Sequence, residues 1–400
     1  MMRFQTGAFS TSQFRWFFAG RATSMFGSAM TPIALAFAVL QTPNGEQLLG
    51  YVLAAEIVPH LFMVLIGGSV ADRYRRDRLI LISNVGSGLS QTGIAVLVLT
   101  HSDPYLIFPF AALNGVLAAF TSPAMRGIIP EIVDSQNINQ ANSLLATARS
   151  SAKIVGPTAA GVLVATVGGG WGILFDAVSF FAAAVCLTRV KIPSHPAASE
   201  TSLVEEMREG WSYFSRHQFI WLITAAFAVM NAIQMGVWQV LGPIIAKQSF
   251  GASGWGLTIS LKSVGLFAAS VVMLRVQLRR PLRDGMIAVA LSGIPMVVLG
   301  GGYPLPYLIA AAAVAGAGST ISTITWDTSL QLTVPRDMLS RVCAFDDFGS
   351  YMAIPIGEIL AVPIAKTFGY HTVAMVGGII FTIVALVPLF NRLVRQMSPN

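Results

Sequence analysis

Charge is scarce in this chain. Only 11% of its 400 residues are Asp, Glu, Lys or Arg, where a soluble domain carries about 25%. With 54% hydrophobic residues and a mean hydropathy of +0.68, a soluble globular class is excluded. Cysteine is nearly absent: Cys186 and Cys343 give neither a disulfide framework nor a metal-binding spacing. The five histidines are scattered, and only His60 falls inside an apolar run. No His-Glu-x-x-His or Gly-x-Ser-x-Gly pattern occurs, which argues against an intramembrane enzyme, and no Walker-type loop is present to take ATP. No metal or organic cofactor is expected.

What the chain has is long apolar runs. A hydrocarbon core about 30 Å thick needs roughly 20 helical residues. Twelve segments meet that length, near 14–40, 48–71, 79–100, 105–125, 142–167, 171–190, 218–246, 252–274, 285–302, 304–328, 342–365 and 371–391. The first is longer than a signal-peptide core and reads as a retained span. Turn-like links such as Thr42-Pro43-Asn44-Gly45, Ser102-Asp103-Pro104 and Gly168-Gly169-Gly170 make neighbouring helices antiparallel.

The basic residues orient the spans. With the N-terminus placed in the cytoplasm, nineteen Lys and Arg fall in inner segments, two (Lys247 and Lys366) in outer ones, and four inside spans. That asymmetry fits the positive-inside rule and puts both termini in the cytoplasm. The net charge of +7 is then topological, and no nucleic-acid partner is expected.

The longest connector, 191–217, starts with Pro193 and Pro196 and becomes amphipathic from Glu200 to Arg216. It reads as a helix at the inner membrane surface. It separates a six-helix half, 1–190, from a second, 218–400. A shift of 201 residues places Val133 on Val334, Ile138 on Leu339 and Gly156 on Gly357. Two parallel repeats suit alternating access, whereas a channel or receptor has no need of them.

After the second run, Gly67-Gly68-Ser69-Val70-Ala71-Asp72-Arg73-Tyr74-Arg75-Arg76-Asp77-Arg78 puts six charges into seven positions. Its Gly68, Asp72, Arg73 and Arg76 match the signature of the major facilitator superfamily, which this chain resembles, with Arg75 where that family usually has Gly. Gly156-Pro157 followed by Gly161 is similar to the family's antiporter motif. Pro123-Ala124, Pro130, Asn139 to Ser143, Phe175 to Phe180 and Gln331 to Pro335 followed by Arg341 resemble the bacterial enterobactin-exporter and macrolide-efflux branch. That branch often carries an acid where this chain has Ser28.

The resemblance implies an all-α membrane protein of twelve transmembrane helices in two six-helix pseudo-repeats, a monomer in the bacterial inner membrane. It further implies a secondary exporter of amphipathic, drug-like molecules, with a dedicated siderophore or metabolite exporter as the alternative. Its partners are the bilayer and a small-molecule substrate, and its energy source is an ion gradient, protons before sodium. Gly68, Asp72, Arg73 and Arg76 would latch a gate with Asp346 and Asp347, and Ser340 would cap the helix that carries them. Gly156, Pro157 and Gly161 are the candidate hinge. Ionisable residues inside spans are costly and functional by default, which makes Glu56 and then Glu358 the candidates for proton coupling. Asp176 reads as a residue that caps or ties helices together. The substrate cavity draws on Arg21, Met25, Asn114, Asn231, Gln234, Trp238 and Trp326, with Met30 and Phe120 as further apolar candidates.

Overall fold

A computed structural model describes residues 7–73, 75–134, 137–190, 203–273, 275–276, 278–335 and 338–396. Side chains are described for all of these except 64–73, 76, 122–124, 126–127, 130, 139, 203–207, 332, 340, 393 and 396. Among the described residues the chain is helical, without a strand. It divides into two compact units, Met1–Ser199 and Glu200–Asn400.

The first unit contains α1 (Ser12–Val39), α2 (Gly45–Arg73), α3 (Arg76–Leu99), α4 (Ile107–Ile132), α5 (Ile138–Val167) and α6 (Gly169–Leu187). Helix α1 packs against α5 and α6, α2 against α4, and α3 against α4 and α6. One end of this bundle closes over Phe14, Phe17, Ile80, Ile128, Ile132 and Leu145.

The second unit opens with α7 (Leu203–Arg216). The next run is α8 (Gln218–Ile233), a π-helical stretch over Gln234–Leu241, and α9 (Gly242–Ser249). Then come α10 (Gly251–Met273) and α11 (Pro281–Ala290), which continues through a 3-10 turn into α12 (Ile294–Gly300). The unit ends with α13 (Leu305–Thr333), α14 (Leu339–Tyr351), α15 (Ile354–Phe368), α16 (Tyr370–Leu386) and α17 (Arg392–Gln396). Eleven helical runs among the described residues are long and apolar enough to cross a membrane. Helix α2 adds 29 residues of continuous helix, of which the last ten have no described side chains.

Helix edges depart from the hydropathy reading for local reasons. The ninth run starts at Pro281 rather than near 285, because proline fits a first helical position. Arg283 and Asp284, which depress hydropathy there, pair with each other at 2.7 Å. Met338, not Ser340, is the cap residue of α14, so Ser340 lies within the first turn. The amphipathic α7 docks on α14 instead of lying on a surface alone. Phe214 is buried, Trp211 packs edge-on against Phe345 at 5.5 Å, and Glu209 pairs with Arg341.

The 201-residue register recurs in backbone detail. Gly168 and Gly369 both take positive φ, 94° and 90°, and their N–H groups donate to Val164 and Ala365. Asn137 and Met338 precede their helices with φ of −104° and −106°. Close helix contacts repeat as well. A Cβ on Gly115 would collide with the carbonyl oxygen of Glu56, and one on Gly316 would collide with that of Lys262. Both glycines let two helix backbones touch, which is how helices associate where lipid removes the hydrophobic drive.

Gly115→Ala and Gly316→Ala should therefore each destabilise the protein by about 1–3 kcal/mol, the usual range for overpacking. Thermal unfolding in detergent checks this, and an unchanged midpoint for both variants would contradict the packing account.

Candidate functional site

The α1–α6 seam is built by small residues on one face of α1. Gly20 lies against Cys186 and Ala183, and Gly27 against Ser179 and Asp176. Closing the helices this far buries Asp176, which is 1% exposed. A buried carboxylate needs donors, and α1 supplies two of them. Thr31 Oγ1 donates at 2.6 Å and Ser28 Oγ at 3.3 Å, with Ser179 Oγ adding a third at 3.3 Å. Asp176 thus ties α6 to α1, as its place in the sequence led us to expect.

On α2, Glu56 Oε1 accepts a hydrogen bond from Asn114 Nδ2 on α4 at 2.9 Å. The Gly115 backbone lies directly over it, and His60 Nδ1 is 3.2 Å from the Gly115 carbonyl oxygen. Glu56 makes no ion pair among the described residues, so neither Arg21 nor Lys153 neutralises it.

The α1–α5 seam carries cations. Ala8 N–H donates to Gln140 Oε1 at 2.8 Å, and a Cβ on Gly156 would sit 2.7 Å from the Cβ of Ala29. Both residue numbers rise along the seam, so the helices run parallel. Eight residues before Ala29 lies Arg21; seven before Gly156 lies Arg149. They stand at one level, and Lys153 follows Arg149 one turn on. Lys153 falls at the middle of the 30-residue α5, which runs unbroken through Pro157. A cation placed there costs about 3 kcal/mol on insertion scales unless something compensates it.

The second unit holds a cavity of about 260 Å³ whose lining includes Phe227, Asn231, Gln234, Lys262, Trp326, Asp327, Asp346, Asp347 and Ser350. Asp346, on α14, is buried and held by Thr224 Oγ1 at 2.6 Å and Trp326 Nε1 at 2.7 Å. Asn231 Nδ2 donates to the Ser350 carbonyl at 3.0 Å, fixing α8 to α14. The π-helical turn begins at Gln234 and widens the coil at the cavity wall. It also brings Gly236 onto the backbone of Gly357, while Gly357 meets Ala232. Glu358, next in sequence, is buried with this contact.

The structure brings Asn231, Gln234 and Trp326 together with Asp346 and Asp347 around one cavity. Trp238 lies elsewhere. It is buried against Trp255 at 4.7 Å, and Lys262 Nζ stands 5.1 Å from its ring centre. Asn114 serves Glu56, and Arg21 and Met25, one turn apart, lie on α1. Gly156, Pro157 and Gly161 lie within the continuous α5, with Gly156 at the α1 contact. The side chains of Gly68, Asp72, Arg73 and Arg76 lie outside the described residues. Sequence reasoning assigned Lys262 and Asp327 no site. It also passed over Ser292, Ser319 and Ser322, which line the cavity. The recurrence of Ser and Thr at 319, 322 and 323 on one apolar helix was the available signal.

Thr31→Val removes the shortest donor to Asp176 while keeping the side chain's shape. We expect a loss of about 1–3 kcal/mol, the cost of leaving a buried acceptor short of a partner. Thr23→Val, on the same helix and bonded only to its own Ala19 carbonyl, should change the unfolding midpoint far less. Equal effects would contradict the tie.

Comparison with known proteins places this geometry. The family described as transmembrane secretion effector matches residues 5–399. The multidrug efflux pump Tap of Mycolicibacterium fortuitum is 26% identical over 394 residues, covering 94% of this chain and 95% of the pump. The staphyloferrin A transporter of Staphylococcus aureus is 24% identical over 268 residues, covering 66% and 67%. Among solved structures, the nucleoside transporter NupG superposes with a TM-score of 0.77 at 12% identity, covering 95% of this chain and 99% of that one. A peptide transporter, POT, gives 0.75 at 14% identity, covering 99% and 98%. These likenesses carry the fold, and the family match spans nearly the whole chain. The protein belongs to the transmembrane secretion effector family within the major facilitator transporters, and it is a transporter rather than an enzyme.

Proposed function

We propose that the protein is a secondary active exporter of amphipathic small molecules, working by alternating access and driven by proton antiport. It would span the bacterial inner membrane twelve times, as a monomer with both termini in the cytoplasm. The observation that carries this reading is the pairing of two repeats with unequal charges. At the contact where Gly115 meets the Glu56 carbonyl in the first unit, the second unit has Gly316 against Lys262. A carboxylate that this fold does not require in both copies, bonded to one neutral amide, is suited to a coupling role. Its proton affinity depends on whether water reaches it, and alternating access changes that. Glu358 is the second candidate.

The cavity supports the substrate class. It combines aromatic walls, Phe227 and Trp326, with a few polar and charged groups, the usual make-up of small-molecule sites. That multidrug efflux pumps are among the relatives supports the same reading. The siderophore transporter among them supports the alternative of a dedicated siderophore exporter.

An efflux screen with drugs and siderophores, in a host lacking its own exporters, tests the function. We expect protection that a protonophore abolishes. Protonophore-insensitive export would overturn the coupling reading, and export confined to a siderophore would favour the alternative. Glu56→Gln should leave the protein folded and in the membrane but lower gradient-driven export by at least about tenfold, the scale set by roughly 1.4 kcal/mol. Full export by that variant would remove Glu56 from the coupling role.

A further inference from the structure

The cations Arg21, Arg149 and Lys153 take no part in the coupling just described. All three lie well within helices long enough to span the membrane. Among the described residues none of them makes a hydrogen bond or an ion pair through its side chain. Two acids within the unit's helices are engaged elsewhere, Asp176 by Thr31 and Ser28, and Glu56 by Asn114.

Three further observations separate a binding role from a structural one. First, the repeat supplies a control: at the 201-residue register, Arg149 corresponds to Ser350 and Lys153 to Ile354. The fold builds the same helix pair in its second copy without these cations. Second, Arg149 and Lys153 are exposed although Lys153 sits at the middle of α5. An ammonium at mid-helix needs water or a polar group to solvate it, because lipid would not. Third, Arg149, Lys153 and Gly156 form one stripe on α5, and Arg21, Met25 and Ala29 form the stripe that meets it on α1. Charge and a thioether side chain thus share one surface.

We propose that Arg21, Arg149 and Lys153 form a subsite for the anionic groups, carboxylates foremost, of an amphipathic substrate. Two guanidinium groups at one level offer forked donors to a carboxylate, and the lysine adds a point charge a turn away. Met25 gives the apolar part of such a molecule an adaptable contact. The inference rests on the exporter reading and narrows its substrate class.

Uptake of two dyes into inside-out membrane vesicles tests it: carboxyfluorescein, a polyanion, and ethidium, a cation. The wild type should accumulate carboxyfluorescein saturably. Arg149→Gln with Lys153→Gln should weaken that uptake by about tenfold or more, the scale of one lost charge-assisted contact. Arg149→Lys with Lys153→Arg should restore most of it, and ethidium uptake should not fall in either variant. Undiminished carboxyfluorescein uptake by the glutamine variant would overturn the subsite. Equal loss of both dyes, or no rescue by the charge-preserving variant, would assign these residues to folding instead. Wild-type transport of ethidium without carboxyfluorescein would leave the exporter reading standing and sink this one. Transport of neither dye would also sink this one, and the efflux screen with drugs and siderophores would then decide the exporter reading separately.

Discussion

Direct contact between helix backbones is the constraint on which the rest depends. Lipid tails are as apolar as leucine, so burial in lipid gives helices no reason to associate. Gly115 against Glu56, Gly316 against Lys262, Gly27 against Ser179 and Gly357 against Ala232 let carbonyl oxygens and side chains approach where a methyl group would not fit. These contacts set the register between helices. Register then decides which polar groups meet: Asn114 reaches Glu56 only because the next residue, Gly115, lies on the Glu56 backbone. Asp176 meets Thr31 and Ser28 because Gly27 lets α1 and α6 close.

The two units share this framework and differ in the charges they hang on it. Turn glycines, cap residues and contact glycines repeat, down to the backbone angles of Gly168 and Gly369. By the shared glycine contact Glu56 corresponds to Lys262, and by the 201-residue register Arg149 and Lys153 correspond to Ser350 and Ile354. Features kept in both copies explain the fold. Features present in one copy are free to serve transport, and Glu56, Arg149 and Lys153 fall into that second set. The C-terminal unit spends its own charges on a cavity, where Asp346 is fixed by Thr224 and Trp326 while Asp327 and Asp347 line the wall.

Much of the architecture was legible in the chain because span length and turn chemistry are local properties. Gly168-Gly169-Gly170 announces a hairpin wherever it sits, and the register pairing Gly156 with Gly357 was visible without coordinates. Edges were misjudged where charge and helix coexist, as at Arg283 and Asp284, whose mutual pairing lets α11 begin at Pro281. The site was less legible, since its members come from different helices. Nothing in the sequence says that Trp238 turns toward Trp255 rather than the cavity, or that the coil widens over Gln234–Leu241. Asp176 was read as a cap or a tie between helices, and its partners on α1, which make it a tie, depend on a helix contact 145 residues away.

Proton antiport is the central claim, and it makes substrate and proton cross in opposite directions. The direct measurement is simultaneous: purified protein in liposomes, an internal pH dye, and a fluorescent substrate taken from the efflux screen. With no imposed gradient, substrate entering the liposomes should drive protons out, raising the internal pH in proportion to the substrate taken up. Substrate flux with no accompanying pH change, or protons moving in the same direction as the substrate, would contradict the account.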